Sequence, residues 1–147
     1  MKRKLFLLGL VKIPMIGYVK PRLIQLDERE AAVKIRLRRR TKNHLNSMYF
    51  GALAVGADVA AGLHAFYFAD RMGKKVSFAF KGMNAEFIMR AESTIVFVSE
   101  DGEKVNDAMN RSFEQGERIN EPINVIAKND KNEVVARFEM IVSVKVK

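Results

Sequence analysis

Residues 43–70 read NHLNSMYFGALAVGADVAAGLHAFYFAD, and this stretch decides the fold. From Phe50 to Ala69 almost every residue is apolar, and one carboxylate, Asp58, stands in the middle. The run is long enough for a helix of several turns, starting near Phe50 and stopping near Asp70. Gly73 is placed to cap its C-terminus. A helix that is apolar around its circumference must be buried on all sides. Its small residues, among them Gly51, Ala54, Ala57, Ala61 and Ala65, keep it thin and allow strands to approach. Glycines at 56 and 62 weaken an isolated helix by about 1 kcal/mol each relative to alanine, so close packing is the expected compensation. A bilayer span is rejected. Asp58 would sit near the midplane at a cost of roughly 3 kcal/mol, and the flanking segments alternate like strands of a water-exposed sheet.

Those flanks read as follows. Arg22–Leu26 is a short strand, with a turn around Asp27–Arg29. Ala31–Arg38 alternates: Ala31, Val33, Ile35 and Leu37 face one side, and Lys34, Arg36 and Arg38 the other. Period two with one apolar face predicts a half-buried strand. Thr41–Ser47 is a polar loop. Val76–Phe80, Ala85–Arg90 and Ser93–Ser99 are strand-like, and Asp101-Gly102 makes a turn. In Glu103–Gln115 the apolar Val105, Ala108, Met109 and Phe113 recur at helical spacing, which predicts a short surface helix. Glu121–Lys128 is a strand, NDKN at 129–132 a hairpin turn, and Val134–Val146 the most regularly alternating strand of the chain. One flat sheet cannot bury a helix that is apolar all round. An antiparallel sheet that curls around it can. The expected class is therefore α+β, with residues 1–147 forming one domain: a lead-in over 1–20 and a core over 21–147.

This order of elements resembles the hotdog fold, and residues 43–58 resemble the motif of hotdog thioesterases of the phenylacetic-acid-pathway type. That motif is Asn, two residues, Gly, two residues, His-Gly-Gly, then an acid seven residues after the second Gly. On this spacing Asn43 matches the Asn, Gly51 the second Gly and Asp58 the acid. Asn46 stands for the first Gly, Tyr49 for the His and Phe50 for the Gly beside it. The chain is closest to an uncharacterised thioesterase-like branch that tolerates an aromatic before that glycine. The resemblance implies hydrolysis or binding of an acyl thioester carried by coenzyme A or an acyl-carrier protein, in a homodimer or homotetramer. The acid of one subunit would then face the glycine of another. It implies no cofactor and no metal.

The residue types suit that chemistry. Thioester hydrolysis needs a carboxylate that attacks the carbonyl or activates a water, and donors that meet the oxyanion. The first turn of a helix has backbone N–H groups without internal partners, and its dipole favours negative charge. Gly51 is such a donor. Asp58 is the base or nucleophile, about 10 Å further along the same helix from the rise per residue. Asn43 could orient a water or the carbonyl. Tyr49 could donate its hydroxyl, although a phenol is a poor base at neutral pH. Asn46 and Phe50 adjoin the substrate, and Arg38, Arg39 and Arg40 suit carrier phosphates. Each has an ordinary alternative. Asp58 could pair with a cation or lie at a dimer seam, Asn43 could cap its own loop, Tyr49 could fill space, and the arginines could be a solvated strand face. His64 reads as core or interface and His44 as loop.

Composition narrows the rest. A net charge of +9 favours anionic partners. Nucleic acid is disfavoured because neither an aromatic stacking motif nor a recognition-helix pattern accompanies the charge. With no Cys and two His, thiolate and histidine-rich metal sites are out, and a reducing, cytoplasmic setting is expected. The start, MKRKLFLLGLVKIPMIGYVKP, imitates a signal peptide, but Lys12 and Pro14 interrupt the apolar run and no small-x-small site follows. Lys4–Ile13 is expected to be an amphipathic helix ended by Pro14, with peripheral membrane contact as a secondary role. Two alternatives to the enzyme remain: a non-catalytic hotdog module binding an acyl or aromatic ligand, and a basic protein for nucleic acid or membrane surfaces.

Overall fold

The structure, a computed structural model, describes residues 12–147. The helix expected over Lys4–Ile13 lies almost wholly outside the described residues. Pro14 does not end a helix here. It opens α1 (Pro14–Val19), where its missing N–H and fixed φ suit the first turn. Lys20, in the left-handed region at φ 58°, turns the chain into β1 (Arg22–Leu26). The tight turn 27–30 is held by Asp27, whose Oδ1 accepts the N–H groups of Arg29 and Glu30. β2 (Ala31–Ile35) follows. It ends three residues earlier than the alternation suggests, because its neighbours on both sides run out of register partners there. Nor is it wet on one face as expected: Ala32 is buried along with Ala31, Val33 and Ile35.

The apolar run forms α2 (Phe50–Met72), closed by Gly73 at φ 64°. It is long and apolar enough to cross a membrane, yet 78% of that window is buried inside the protein. The sheet therefore serves as its solvent. β3 (Val76–Phe87) is one continuous strand of 12 residues rather than two segments. Its interruption at residues 81–84 in the hydropathy pattern corresponds to a register shift between Phe80 and Gly82. β4 (Ile95–Ser99), α3 (Gly102–Gln115), β5 (Ile119–Lys128) and β6 (Val134–Val146) complete the order. The six strands pair antiparallel in the sequence β1-β2-β4-β5-β6-β3. β3 is thus an edge strand, hydrogen-bonded to β6 on one side only.

The sheet curls around α2, and α3 packs against α2, β5 and β6. Side chains such as Ile35, Phe97, Val125 and Phe138 fill the space between sheet and helix. The approach is closest at Gly56, where a Cβ would lie 2.3 Å from the buried Phe97 ring. This is the compensation for a glycine in mid-helix. At the far end, Ser112 Oγ donates to the Glu117 carbonyl at 2.6 Å and accepts the Val146 N–H at 3.0 Å, tying α3 to the end of the sheet.

Candidate functional site

α2 is not sealed uniformly. In its first two turns Ala52, Leu53, Gly56, Ala57, Val59 and Ala60 are buried, whereas Gly51, Ala54, Val55 and Asp58 are only half-covered. These four positions share one helical stripe. It runs from the helix tip to the lone acid and then toward the sheet edge, since Gly62, one turn further on, packs against Phe78 of β3. Along β3 and the segment after it, Met83, Phe87, Ile88 and Met89 are exposed. The open stripe therefore adjoins an unpaired, apolar strand edge.

Asp58 makes no hydrogen bond or ion pair with any described residue. Burial without a compensating partner pushes its carboxyl up from 3.8 to about 6. A carboxylate with that value is ionised at neutral pH yet basic enough to accept a proton. It is neither neutralised by a cation nor sealed into the core.

The helix tip is built by the preceding loop. Tyr49 N–H donates to the Thr41 carbonyl at 2.8 Å and Met48 N–H to the Ala91 carbonyl at 2.7 Å, which fixes the entry angle. The Tyr49 carbonyl accepts from Ala52 and Leu53 N–H. Tyr49 itself gives no side-chain cap, so the N–H groups of Phe50 and Gly51 start the helix without one. The Tyr49 ring lies on Gly51: a Cβ there would be 2.5 Å from its Cε2. Tyr49 and Phe50 are exposed, with ring centroids 4.8 Å apart. The glycine makes room for this ring, and any ligand approaching the amide must meet or displace it.

Asn43 and Asn46 shape the same loop. Asn43 Oδ1 accepts the N–H groups of Leu45 and Ser47, so its carbonyl oxygen is committed to the turn and only its amide nitrogen is left for a ligand. Asn46 adopts φ 60°. Asparagine tolerates this region better than other non-glycine residues, which explains how it can stand where the thioesterase motif has glycine.

Of the three consecutive arginines, the structure separates one from the other two. Arg38 and Arg40 line a surface crevice with Lys20, Arg22 and Arg36, floored by Val19 and Thr41. Arg39 is not part of it. Buried Thr41 organises this turn: its hydroxyl donates to the Arg36 carbonyl at 2.7 Å and accepts Arg38 N–H at 2.9 Å. Sequence reading missed Lys20 and Arg22, because no local pattern joins them to a run 14 or more residues away. It also missed Thr41, whose role is set by partners rather than by residue type.

His64 is fully buried. Its Nε2 lies 2.9 Å from the Asp27 carbonyl, which fixes Nε2 as the protonated nitrogen, and its ring stacks on Phe68. Burial lowers its pKa below 6.5 against the pull of that carbonyl. Among the described residues no cluster of His, Asp and Glu could hold a metal ion.

A family model described as Domain of unknown function (DUF4442) matches residues 2–144. The chain belongs to this family. Solved structures give the DUF4442 chain its architectural relatives. A proposed thioesterase from Shewanella oneidensis superposes with a TM-score of 0.85 at 11% identity, covering 98% of this chain and 96% of its own. A Chlorobaculum tepidum protein of unknown function gives 0.85 at 13%, covering 98% and 93%. A Pseudomonas aeruginosa protein of unknown function, suggested to be a thioesterase, gives 0.80 at 19%, covering 100% and 97%. At these identities the likeness establishes the fold, and that fold is the hotdog of the thioesterase-like superfamily. Among curated proteins none matches this DUF4442 sequence.

Proposed function

We propose that this protein hydrolyses an acyl thioester, with Asp58 as general base or nucleophile and the backbone N–H of Gly51 as oxyanion donor. The observation that carries the reading is the half-open stripe on an otherwise buried helix, which joins uncapped amides at one end to an unpaired acid at the other. The thioesterase descriptions of several structural relatives support it.

In the water-activating form, Asp58 takes a proton from a water as its oxygen bonds to the thioester carbonyl carbon. The oxyanion that forms is held by the amides at a helix tip. As it collapses, the C–S bond breaks, and the thiolate receives the proton from Asp58. Within one helix the acid and the Gly51 amide lie about 10 Å apart, too far to serve one carbonyl. Two copies paired along the β3 edges would bring the tip of one helix toward the acid of the other. The apolar side chains on that edge support such pairing, since an unpaired strand of this length invites another strand. Asn43, through its free amide, and Tyr49, through its hydroxyl, would help to position the carbonyl. Phe50 and Asn46 border the entrance. The basic turn at Arg38, Arg39 and Arg40 would attract a polyanionic carrier, coenzyme A or the acyl-carrier protein.

The Tyr49 ring lying on Gly51 favours one second reading, a module that binds an acyl or aromatic ligand without cleaving it. Incubation with short, long and aromatic acyl-CoAs, following free thiol, separates the two. Thiol release that Asp58→Asn abolishes is the expected result. Saturable acyl-CoA binding without release would replace the enzyme by the module.

A further inference from the structure

We propose that α1 and the cationic crevice beside it form a docking surface for an anionic lipid bilayer. Five cations, Lys20, Arg22, Arg36, Arg38 and Arg40, converge on this crevice from four parts of the chain, and none forms an ion pair with a described acid. Like charges gathered this way repel unless an anion joins them, and phosphate suits guanidinium groups best.

The second observation is apolar. α1 turns Ile16 and Val19 into the core but presents Met15 and Tyr18 outward, 68% and 58% exposed, and Ile13 just before it is 40% exposed. Arg40 joins the two features: its Nη1 donates to the Tyr18 carbonyl at 3.4 Å, and its guanidinium lies 5.3 Å from the Tyr18 ring centroid. Apolar side chains and cations therefore share one face. A bilayer matches both. Its phosphates meet the crevice, its acyl boundary receives Met15 and Ile13, and a tyrosine is favoured at the headgroup level. A nucleic acid would match the charge only and would leave the aliphatic side chains in water. Each cation close to an anionic membrane strengthens binding about fivefold, so five suffice for reversible attachment without deep insertion. The surface is independent of the chemistry at Asp58.

The test is flotation of the full chain with vesicles of phosphatidylcholine alone or mixed with phosphatidylglycerol. Recovery with the anionic vesicles only, falling as salt is raised, is expected. Arg36→Glu with Arg38→Glu should weaken it by more than about tenfold, and Met15→Asp should also weaken it. All three positions are exposed, so unchanged melting curves will show that the fold is intact. Tyr18→Trp in this tryptophan-free chain should give blue-shifted emission on anionic vesicles. Three outcomes overturn the proposal: no recovery with either vesicle, binding to a single-stranded oligonucleotide as tight as to vesicles and unaffected by Met15→Asp, or saturation by inorganic pyrophosphate with no emission shift on vesicles.

Discussion

Asp58 and His64 lie less than two turns apart on the same helix, and the fold treats them in opposite ways. His64 is enclosed. The Asp27 carbonyl receives its proton, Phe68 covers its ring, and the start of α3 leaves so little space that a Cβ on Gly102 would be 2.9 Å from Nε2. Asp58 sits on the half-open stripe with no described partner, and burial alone raises its pKa to about 6. A polar group that is sealed and satisfied maintains a structure. One that is desolvated, unpaired and reachable raises the free energy of the folded state and is available for chemistry.

The sharpest way to break this comparison is to exchange the two losses. Asp58→Asn should lower thiol release by about 10³-fold or more, because the proton acceptor is gone, while folding improves at neutral pH. His64→Ala should do the reverse. Removing a buried ring and stranding the Asp27 carbonyl should destabilise by about 2–4 kcal/mol in urea unfolding, with turnover per folded molecule retained. If His64→Ala abolishes turnover in well-folded protein, the assignment of roles to the two residues is wrong.

A smaller effect distinguishes the two faces through their glycines. Gly56→Ala forces a methyl into the buried Phe97 ring and should cost about 1–3 kcal/mol by overpacking. Gly51→Ala meets only the exposed Tyr49 ring, which can swing away, so stability should stay within about 1 kcal/mol. Its effect should instead fall on turnover. Equal loss of melting temperature in both variants would mean that the helix tip is as enclosed as the middle.

pH should separate the pair with the least perturbation. The Asp58 carboxyl has a folded pKa of about 6 against 3.8 when free. The contribution of its neutral form is complete below 3.8 and disappears as pH rises through about 6. His64 has its pKa lowered from 6.5. Its contribution is complete above 6.5 and is lost as pH falls below that value, where the unfolded chain takes up the proton. The melting temperature of Asp58→Asn should therefore match the wild type near pH 3.5 and exceed it above pH 6.5. A constant difference across that range would mean that Asp58 is not desolvated.

Much of this fold could be read from hydropathy. The helix expected over Phe50–Asp70 is observed over Phe50–Met72 with Gly73 as its cap, and Arg22–Leu26 and Val134–Val146 form strands as expected. These elements rest on periodicity and capping, which are local. The errors fall where local signals mislead. Pro14 can end one helix or open another, and only the chain around it decides. Ala85–Arg90 looked separate from Val76–Phe80 because a register shift interrupts the alternation, but β6 holds both in one ladder. For the site, the spacing from Gly51 to Asp58 could be read from the sequence. That Asn43 spends its oxygen on its own turn, or that Arg39 leaves the crevice that Lys20 and Arg22 enter, could not.

The sequence by itself determined that one long apolar helix must be wrapped by an alternating sheet, because a helix with no polar face has nowhere else to be stable. It also determined that a single acid would interrupt that helix. Only the tertiary structure decided which side of the helix stays uncovered, and thus whether the acid is sealed or available. Coverage depends on where six strands begin, end and meet an edge, and those positions are set by pairing between residues far apart in the chain.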